Sequence, residues 1–269
     1  MILVEPDETI NSIATKLVQH GIIFNKRLFI IYMNILHKNI QPGEYIIQKN
    51  TPTFLVVEKI QSKNSLVRKL RIPDGSTLYQ VISIIENTQG LFGEMPKLDD
   101  GDILPDTYFF IYGTKKTQLI LNMKNAMNKF VKNAFQNYIT HIQNSKNFEK
   151  YINVIKNERD LIILASIIEK ECIPIEMPIV AGVFINRLVK NMRLQACSTT
   201  KNSLYNTYNF HGLPKNPICN PSKAAIDSVA NFSFHDFMYF RLNSDTHLHI
   251  FSRDFRKHVK AGHACKSRT

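Results

Sequence analysis

The sequence contains no tryptophan, only four cysteines in 269 residues, and no motif of closely spaced metal ligands. Neither a Cys-x-x-Cys nor a His-Glu-x-x-His motif occurs, and the cysteines are too widely spaced for a zinc finger or ribbon. His247 and His249 alternate as residues on one strand face do, but two histidines without a third ligand are more typical of hydrogen-bonding side chains. We therefore expect no metal site and no cofactor. The cysteines are Cys172, Cys197, Cys219 and Cys265.

Long apolar runs are also missing. No stretch approaches the roughly 18 to 20 apolar residues that span a bilayer, and Glu5 and Asp7 interrupt the N-terminus before the apolar core of a secretory signal can develop. The sequence therefore predicts no membrane anchor within itself. Either the protein is cytosolic or an N-terminal anchor lies outside this sequence.

Acidic residues are outnumbered by basic ones. The chain has 34 Lys and Arg against 22 Asp and Glu, a formal net charge of +12. Such a surplus attracts nucleic acid, anionic lipid or an acidic polymer without choosing among them. Much of it lies in Lys- and Asn-rich stretches typical of solvated helix faces, and no Arg and aromatic cluster resembles a nucleic-acid module. We predict no nucleic-acid partner.

The hydrophobic fraction of 44% suits a folded protein with one or two cores. In the first part, 6–10 and 73–78 are similar segments in which Asp and Ser or Thr precede an amphipathic run. Each predicts a strand, a turn and a helix. We therefore expect an α+β fold, with a small α/β N-terminal region over 1–113 that contains two related strand-turn-helix units.

The second part, 114–269, is predicted to be a mainly helical α+β domain. One helix is expected from about Thr117 to Gln143 and another from the N-cap Asn157. The latter is apolar on nearly every side and ends in two carboxylates, Glu169 and Glu171. On a helical wheel Glu169 leaves the core at the edge of a pocket, where burial favours the protonated form that a general acid needs. The same periodicity does not exclude Glu171.

Amide and tyrosine side chains follow on loops. Such side chains suit a carbohydrate, since they donate and accept hydrogen bonds and offer flat apolar faces. Further on, Asn220 and Pro221 are expected to be the N-cap and first residue of a helix that runs through Val229.

The order of these segments resembles the successive motifs of the YceG-like endolytic murein transglycosylases, and the resemblance covers almost the whole chain. The 104–108 loop, the 249–252 segment and the later His258 look like family motifs as well. The main motifs are Ala165–Glu171, Val183–Leu188, Met192–Gln195, Tyr205–Tyr208, Gly212–Pro214 and Asn220–Pro221.

This resemblance implies a LysM-like N-terminal region followed by a catalytic transglycosylase domain. It implies anchoring on the periplasmic face of the bacterial inner membrane, cleavage of nascent peptidoglycan strands to 1,6-anhydro-MurNAc ends, and work alongside peptidoglycan synthases. Carried onto this sequence, it makes Glu169 the catalytic acid and base. Residues that would orient the substrate are Gln195, Asn206, Tyr208 and His249.

One segment departs from the family pattern. Where relatives usually have Thr-Asp-Pro-Thr after Leu-Gln, this chain has Ala196–Thr199, and the insert before Tyr205 is short. An acidic residue is missing there. The alternative interpretation is therefore a noncatalytic peptidoglycan-binding or synthase-regulating protein of the same fold.

Overall fold

Short strands and helices alternate in the first part of the chain, and helices dominate in the second. The structure, a computed structural model, describes residues 1–36, 40–62, 64–200 and 204–266. It has the mixed α+β architecture that the sequence predicts. Its Cα atoms divide into two compact units. Among the helices described, none combines the length and the apolar character that crossing a membrane requires.

The first unit comprises Met1–Arg71, Ile82–Pro96 and Thr107–Leu121. Its paired strands are antiparallel β1 with β2, antiparallel β3 with β5 and parallel β4 with β6. The elements that begin in it are β1 (Ile2–Val4), α1 (Ile10–Gln19), α2 (Lys26–Leu36), β2 (Gly43–Tyr45), α3 (Thr53–Gln61), β3 (Val67–Arg71), β4 (Leu91–Phe92), β5 (Thr107–Ile111), β6 (Thr114–Lys115) and α5 (Lys116–Gln143).

Both of the related segments form a strand followed by a helix. In the first, β1 leads into α1, whose N-cap Thr9 accepts a hydrogen bond from the Ser12 N–H at 3.2 Å. In the second, β3 leads into α4 (Leu78–Glu86), where Thr77 and Gln80 bond each other's backbone N–H groups. These reciprocal bonds satisfy N–H groups that a helix start leaves free. The assignment of 1–113 as a LysM-like region stays a prediction.

The second unit comprises Ile72–Val81, Lys97–Asp106 and the chain from Asn122 onward. Its core is built around α7 (Glu158–Glu171) and α8 (Met177–Val189), which are buried over most of their length. Pro174–Glu176 forms a 3₁₀ turn between these two helices. The other elements are α6 (Phe148–Tyr151), α7 (Glu158–Glu171), α8 (Met177–Val189), α9 (Lys223–Ala230), β7 (Tyr239–Leu242), β8 (His249–Ser252) and α10 (Phe255–Lys266), with β7 and β8 antiparallel.

Two local predictions for this unit are wrong. Helix α9 begins at Lys223 with Ser222 as its N-cap, not at Asn220. His247 does not share a strand face with His249, because it lies before β8 in a left-handed backbone conformation, with φ of 55°. The predicted N-cap of α7 is confirmed, since Asn157 accepts a hydrogen bond from the Asp160 N–H at 2.9 Å.

Candidate active site

The C-terminal end of α7 carries the two candidate carboxylates. Residues Leu161–Ile168 are all buried, and the helix leaves the core only at its last turn. Glu169 and Glu171 are both partly buried there. Because consecutive helical residues are rotated by about 100°, side chains two positions apart point about 200° apart. The two carboxylates therefore enter different surroundings.

Glu169 is held at the start of α9. Its Oε2 accepts one hydrogen bond from the Ser222 N–H at 3.0 Å and another from the Ser222 hydroxyl at 2.5 Å. The same hydroxyl accepts from the Ala225 N–H, which caps the helix. Gly75, at φ of +67°, lies so close that a Cβ there would be 3.1 Å from Glu169 Cγ. Glu169 thus contacts both the N-terminus of α9 and the turn that contains Gly75.

The amide of Asn220 explains why this residue does not cap α9. Its Oδ1 accepts hydrogen bonds from the N–H groups of Gly101 and Ile103, at 3.1 and 3.2 Å, and its Nδ2 donates to the Ser76 carbonyl at 3.0 Å. The side chain is almost fully buried. Asn220 therefore holds together segments that are distant in the sequence, and the capping role falls to Ser222.

Glu171 lines a cavity of about 600 Å³, and its Oε1 accepts a hydrogen bond from the Ser198 N–H at 2.8 Å. Glu169 is not among the residues described as lining this cavity. The lining residues are Lys170, Glu171, Arg187, Gln195, Cys197, Ser198, Tyr208, Tyr239, Phe240, Arg241, Leu242, His249, Phe255 and His258.

Two of the predicted substrate-binding residues lie on this cavity beside the altered segment. Gln195 is exposed and has a left-handed backbone conformation, with φ of 49°. Residues held in sparsely populated backbone conformations are enriched at functional sites. The Tyr208 hydroxyl lies 3.3 Å from Cys197 Sγ, and this hydrogen bond together with burial raises the pKa of Tyr208 to about 12. Tyr208 therefore offers a protonated hydroxyl at neutral pH.

Arg187 supplies a buried cation to the wall of the cavity. Its guanidinium donates hydrogen bonds to the carbonyls of Met238 and Leu194, and its carbon Cζ lies 5.4 Å from the centre of the Tyr239 ring. Burial lowers its pKa from the usual value, while the neighbouring Tyr239, Tyr208 and Glu171 oppose that shift. An arginine remains charged near neutral pH after such a shift. The carboxylate of Glu171 thus lies near a fixed positive charge.

Two buried polar atoms without a hydrogen-bond partner belong to the same cavity. They are Ser198 Oγ and His258 Nδ1, and within the described part of the chain no other buried side-chain nitrogen or oxygen lacks a partner. Burial, followed by the nearby charges of Arg241 and Arg187, lowers the pKa of His258. Unsatisfied buried polar groups are costly to a fold. Their presence in one cavity is typical of a site that binds a polar ligand.

His249, the third predicted substrate-binding residue on the cavity, is held by a carboxylate that sequence reasoning missed. Its backbone N–H donates to Glu176 Oε1 at 2.7 Å, and its ring Nδ1 lies 2.8 Å from Glu176 Oε2. The two residues are 73 positions apart in the sequence, so no local pattern pairs them.

Asn206 lies outside the group that lines the cavity. Its Oδ1 accepts a hydrogen bond from the Tyr208 N–H at 3.1 Å, so its side chain shapes the loop that carries Tyr208. Of the five predicted site residues, the structure brings together Gln195, Tyr208 and His249. Glu169 and Asn206 are not among the residues that line this cavity, although each lies close in sequence to one that does. The roles assigned to all five stay predictions.

Size alone does not identify the site. A cavity of about 670 Å³ in the same unit is lined by Lys124, Lys156, Arg159 and seven other residues. None of the five predicted residues lines it, and its Lys124 is paired with Asp102 at 2.8 Å. Of these two cavities, the one beside Glu171 combines a carboxylate, a buried cation and unsatisfied polar atoms.

Comparison with known proteins places this architecture in a family. The sequence pattern of the YceG-like family matches residues 2–264. A crystal structure of a YceG-like protein from Listeria monocytogenes is similar in fold, with a TM-score of 0.55 and 24% identity over 96% of this chain and 97% of that one.

Sequence relatives from Streptococcus pneumoniae and Bacillus subtilis are named endolytic murein transglycosylase. The protein from Streptococcus pneumoniae serotype 2 (strain D39 / NCTC 7466) is 26% identical over 83% of this chain and 50% of its own length. The protein from Bacillus subtilis (strain 168) is 23% identical over 94% of this chain and 81% of its own length. The chain spans about half the length of the Streptococcus relatives that it matches. A match over nearly every residue, with the fold to accompany it, means that this chain belongs to the YceG-like family.

Proposed function

We propose that this protein is an endolytic peptidoglycan transglycosylase whose proton-transfer group lies in the cavity beside Arg187 and Tyr208. The observation that carries the proposal is the position of Glu171. It is a carboxylate at the end of a buried helix, on a polar cavity that also contains three of the predicted substrate-binding residues. The names of the relatives support the same reaction.

The reaction needs one carboxylate. In its protonated form Glu171 donates to the oxygen that links N-acetylmuramic acid to N-acetylglucosamine, and the bond from C1 of the muramoyl sugar to that oxygen breaks. The C6 hydroxyl of the same sugar then attacks C1 and gives its proton back to Glu171. A 1,6-anhydro ring closes, and no water is consumed. Because the nucleophile is tethered to the substrate, a second carboxylate is unnecessary.

The surrounding residues have proposed roles in this reaction. Arg187 places a positive charge in the wall of the cavity near Glu171. Gln195, Tyr208 and His249 orient the sugars through hydrogen bonds, and Asn206 supports the loop that carries Tyr208. Glu169 is the second candidate for the acid, favoured by the family motif but bonded to Ser222.

The wider setting is also proposed. The substrate is a nascent glycan strand, so the reaction takes place outside the cytoplasm, at the periplasmic face of the inner membrane. Peptidoglycan synthases are the proposed neighbours there. The LysM-like region 1–113 would hold the strand while the domain over 114–269 cuts it.

The products of cleavage test this function. Intact peptidoglycan incubated with the protein is expected to release fragments that end in 1,6-anhydro-MurNAc, which mass spectrometry identifies by the loss of one water. Reducing muramic ends would instead indicate a hydrolase. Binding of peptidoglycan without any new ends would favour the noncatalytic alternative, in which the altered segment around Cys197 has removed activity.

A further inference from the structure

A buried carboxylate and a histidine form a pair at the edge of the proposed active site. Glu176 ends the 3₁₀ turn before α8, and His249 begins β8. Each side chain is only 9% exposed. A buried carboxylate is costly unless its oxygens are hydrogen-bonded. In this pair both are, since Oε1 bonds the His249 backbone N–H and Oε2 bonds the ring.

The pairing determines which ring nitrogen carries the proton. An ionised carboxylate only accepts hydrogen bonds, so the Nδ1 atom 2.8 Å from Glu176 Oε2 must be the donor. In its neutral form the ring then has its lone pair on Nε2. The ring is also packed edge-on against Phe240, with centroids 5.2 Å apart, and this contact restricts its rotation. Nε2 is therefore the ring nitrogen left to bind a ligand in the cavity that His249 lines.

We propose that Glu176 is a positioning residue that keeps the proton of His249 on Nδ1 and so presents Nε2 to the substrate as a hydrogen-bond acceptor. Resting on the proposed function, this assigns the partner of Nε2 as a hydroxyl of the glycan. The hydrogen bond to Nε2 restricts the orientation of that hydroxyl before it reacts. Glu176 contributes to the reaction indirectly, because it orients the histidine that makes this bond.

Glu176→Gln tests the pairing without changing its shape. The amide oxygen can accept the backbone N–H of His249, but the amide NH₂ then faces Nδ1 and can only donate to it. The ring must move its proton to Nε2, which turns the acceptor into a donor. Nuclear magnetic resonance of ¹⁵N-histidine-labelled protein distinguishes the two tautomers, and His249→Gln identifies the signals of this ring.

Two other histidines serve as internal controls. His211 Nδ1 lies 2.6 Å from the Asn191 carbonyl, which makes it an Nδ1–H ring. His235 Nε2 lies 2.9 Å from the Ile179 carbonyl while its Nδ1 accepts from the Phe237 N–H, which makes it an Nε2–H ring. Both are expected to keep their tautomers in Glu176→Gln. In the same variant, His249 is expected to change from an Nδ1–H ring to an Nε2–H ring. A His249 ring without a proton on Nδ1 in the unaltered protein would overturn the proposal.

Kinetic measurements then distinguish a positioning role of Glu176 from a purely structural one. Glu176→Gln is expected to lower kcat about 10- to 100-fold, by analogy with the loss of a hydrogen-bond partner that orients a metal-bound histidine. In a His249→Gln background the same substitution is expected to change kcat less than about twofold, because it acts through the ring. Unchanged kcat in the single variant, or losses that multiply in the double variant, would contradict the proposal.

A binding measurement keeps this inference distinct from the proposed function. In Glu171→Gln protein, which is expected to bind strands without cutting them, a peptidoglycan fragment is expected to shift the Nε2 resonance of His249. The absence of any shift on saturation would overturn the assignment of Nε2 even if the unaltered protein cleaves peptidoglycan. A shift combined with no cleavage by the unaltered protein would reject the proposed function and keep the contact.

Discussion

The surroundings of Glu169 and of Glu171 differ sharply although the two residues are separated by one position. Glu169 is bonded by the backbone N–H and the hydroxyl of Ser222 at the start of α9. Glu171 accepts one backbone N–H and lies on a cavity with a buried arginine. Two carboxylates at the end of one helix therefore have different surroundings, and we propose that Glu169 joins segments while Glu171 contacts the substrate.

Neighbouring side chains at one helix end can therefore have different roles, because the rotation of the helix points them at different parts of the fold. Residues on the Glu169 side, including Asn220 and Ser222, are satisfied by protein groups. Residues on the Glu171 side include a strained backbone at Gln195 and unsatisfied atoms of Ser198 and His258. Substitutions on the first side should mainly change the free energy of unfolding, and substitutions on the second should mainly change activity.

The largest stability effect is expected at Asn220. Asn220→Ala leaves the buried N–H groups of Gly101 and Ile103 without their acceptor, so the free energy of unfolding should fall by about 2–4 kcal/mol. Urea unfolding measures this change. Asn209→Ala, at an exposed asparagine of the same unit, is the matched control and should stay within about 0.5 kcal/mol of the unaltered protein. Equal losses in the free energy of unfolding at Asn220 and Asn209 would contradict a structural role for the Glu169 side.

A smaller effect is expected at Ser222. Ser222→Ala removes the helix cap and the hydroxyl bonded to Glu169, so unfolding should become easier by about 1–2 kcal/mol. Thr9→Ala removes an exposed cap whose hydroxyl bonds the Ser12 N–H, and it should cost about 1 kcal/mol or less. Thermal unfolding of both variants gives the difference that belongs to the Glu169 contact. No difference would mean that this contact contributes nothing to stability.

The smallest stability effect is expected at Gln195, on the other side. Gln195→Gly relieves a left-handed backbone but adds freedom to the unfolded chain, and these terms are of similar size, so unfolding should change by less than about 1 kcal/mol. KM for glycan strands should nevertheless rise, since the side chain is lost from the cavity. A large loss of stability with unchanged KM would place Gln195 with the structural residues.

Much of the fold follows from local signals, and for that reason it was predictable. Asn157 caps α7 because Asn before an apolar helix accepts a free N–H whatever the rest of the chain does. Asn220 was assigned a cap on the same rule, and the prediction was wrong because backbone groups more than a hundred positions away take its amide. Local rules fail where a distant segment offers a better partner.

The candidate site was predictable in part for the same reason. Gln195, Tyr208 and His249 lie on one cavity, as residues with suitable chemistry in ordered motifs would suggest. Periodicity left both Glu169 and Glu171 open, since each lies near apolar residues of α7. The two glutamates differ in what packs against them, which is α9 for Glu169 and the 195–198 segment for Glu171. The sequence of α7 carries no information about that packing. Glu176 was missed because its partner is 73 positions away.

The most direct measurement of the central claim compares the rates at which Glu171→Gln and Glu169→Gln release 1,6-anhydro ends from peptidoglycan. In both variants the amide oxygen can still accept the backbone N–H that bonds the carboxylate, so both should fold, with Glu169→Gln somewhat less stable because it removes a negative charge from the start of α9. Glu171→Gln should lose at least about 100-fold in rate, the scale of losing a general acid, while Glu169→Gln should stay within about tenfold. An active Glu171→Gln beside an inactive, folded Glu169→Gln would contradict the account and return the acid to Glu169.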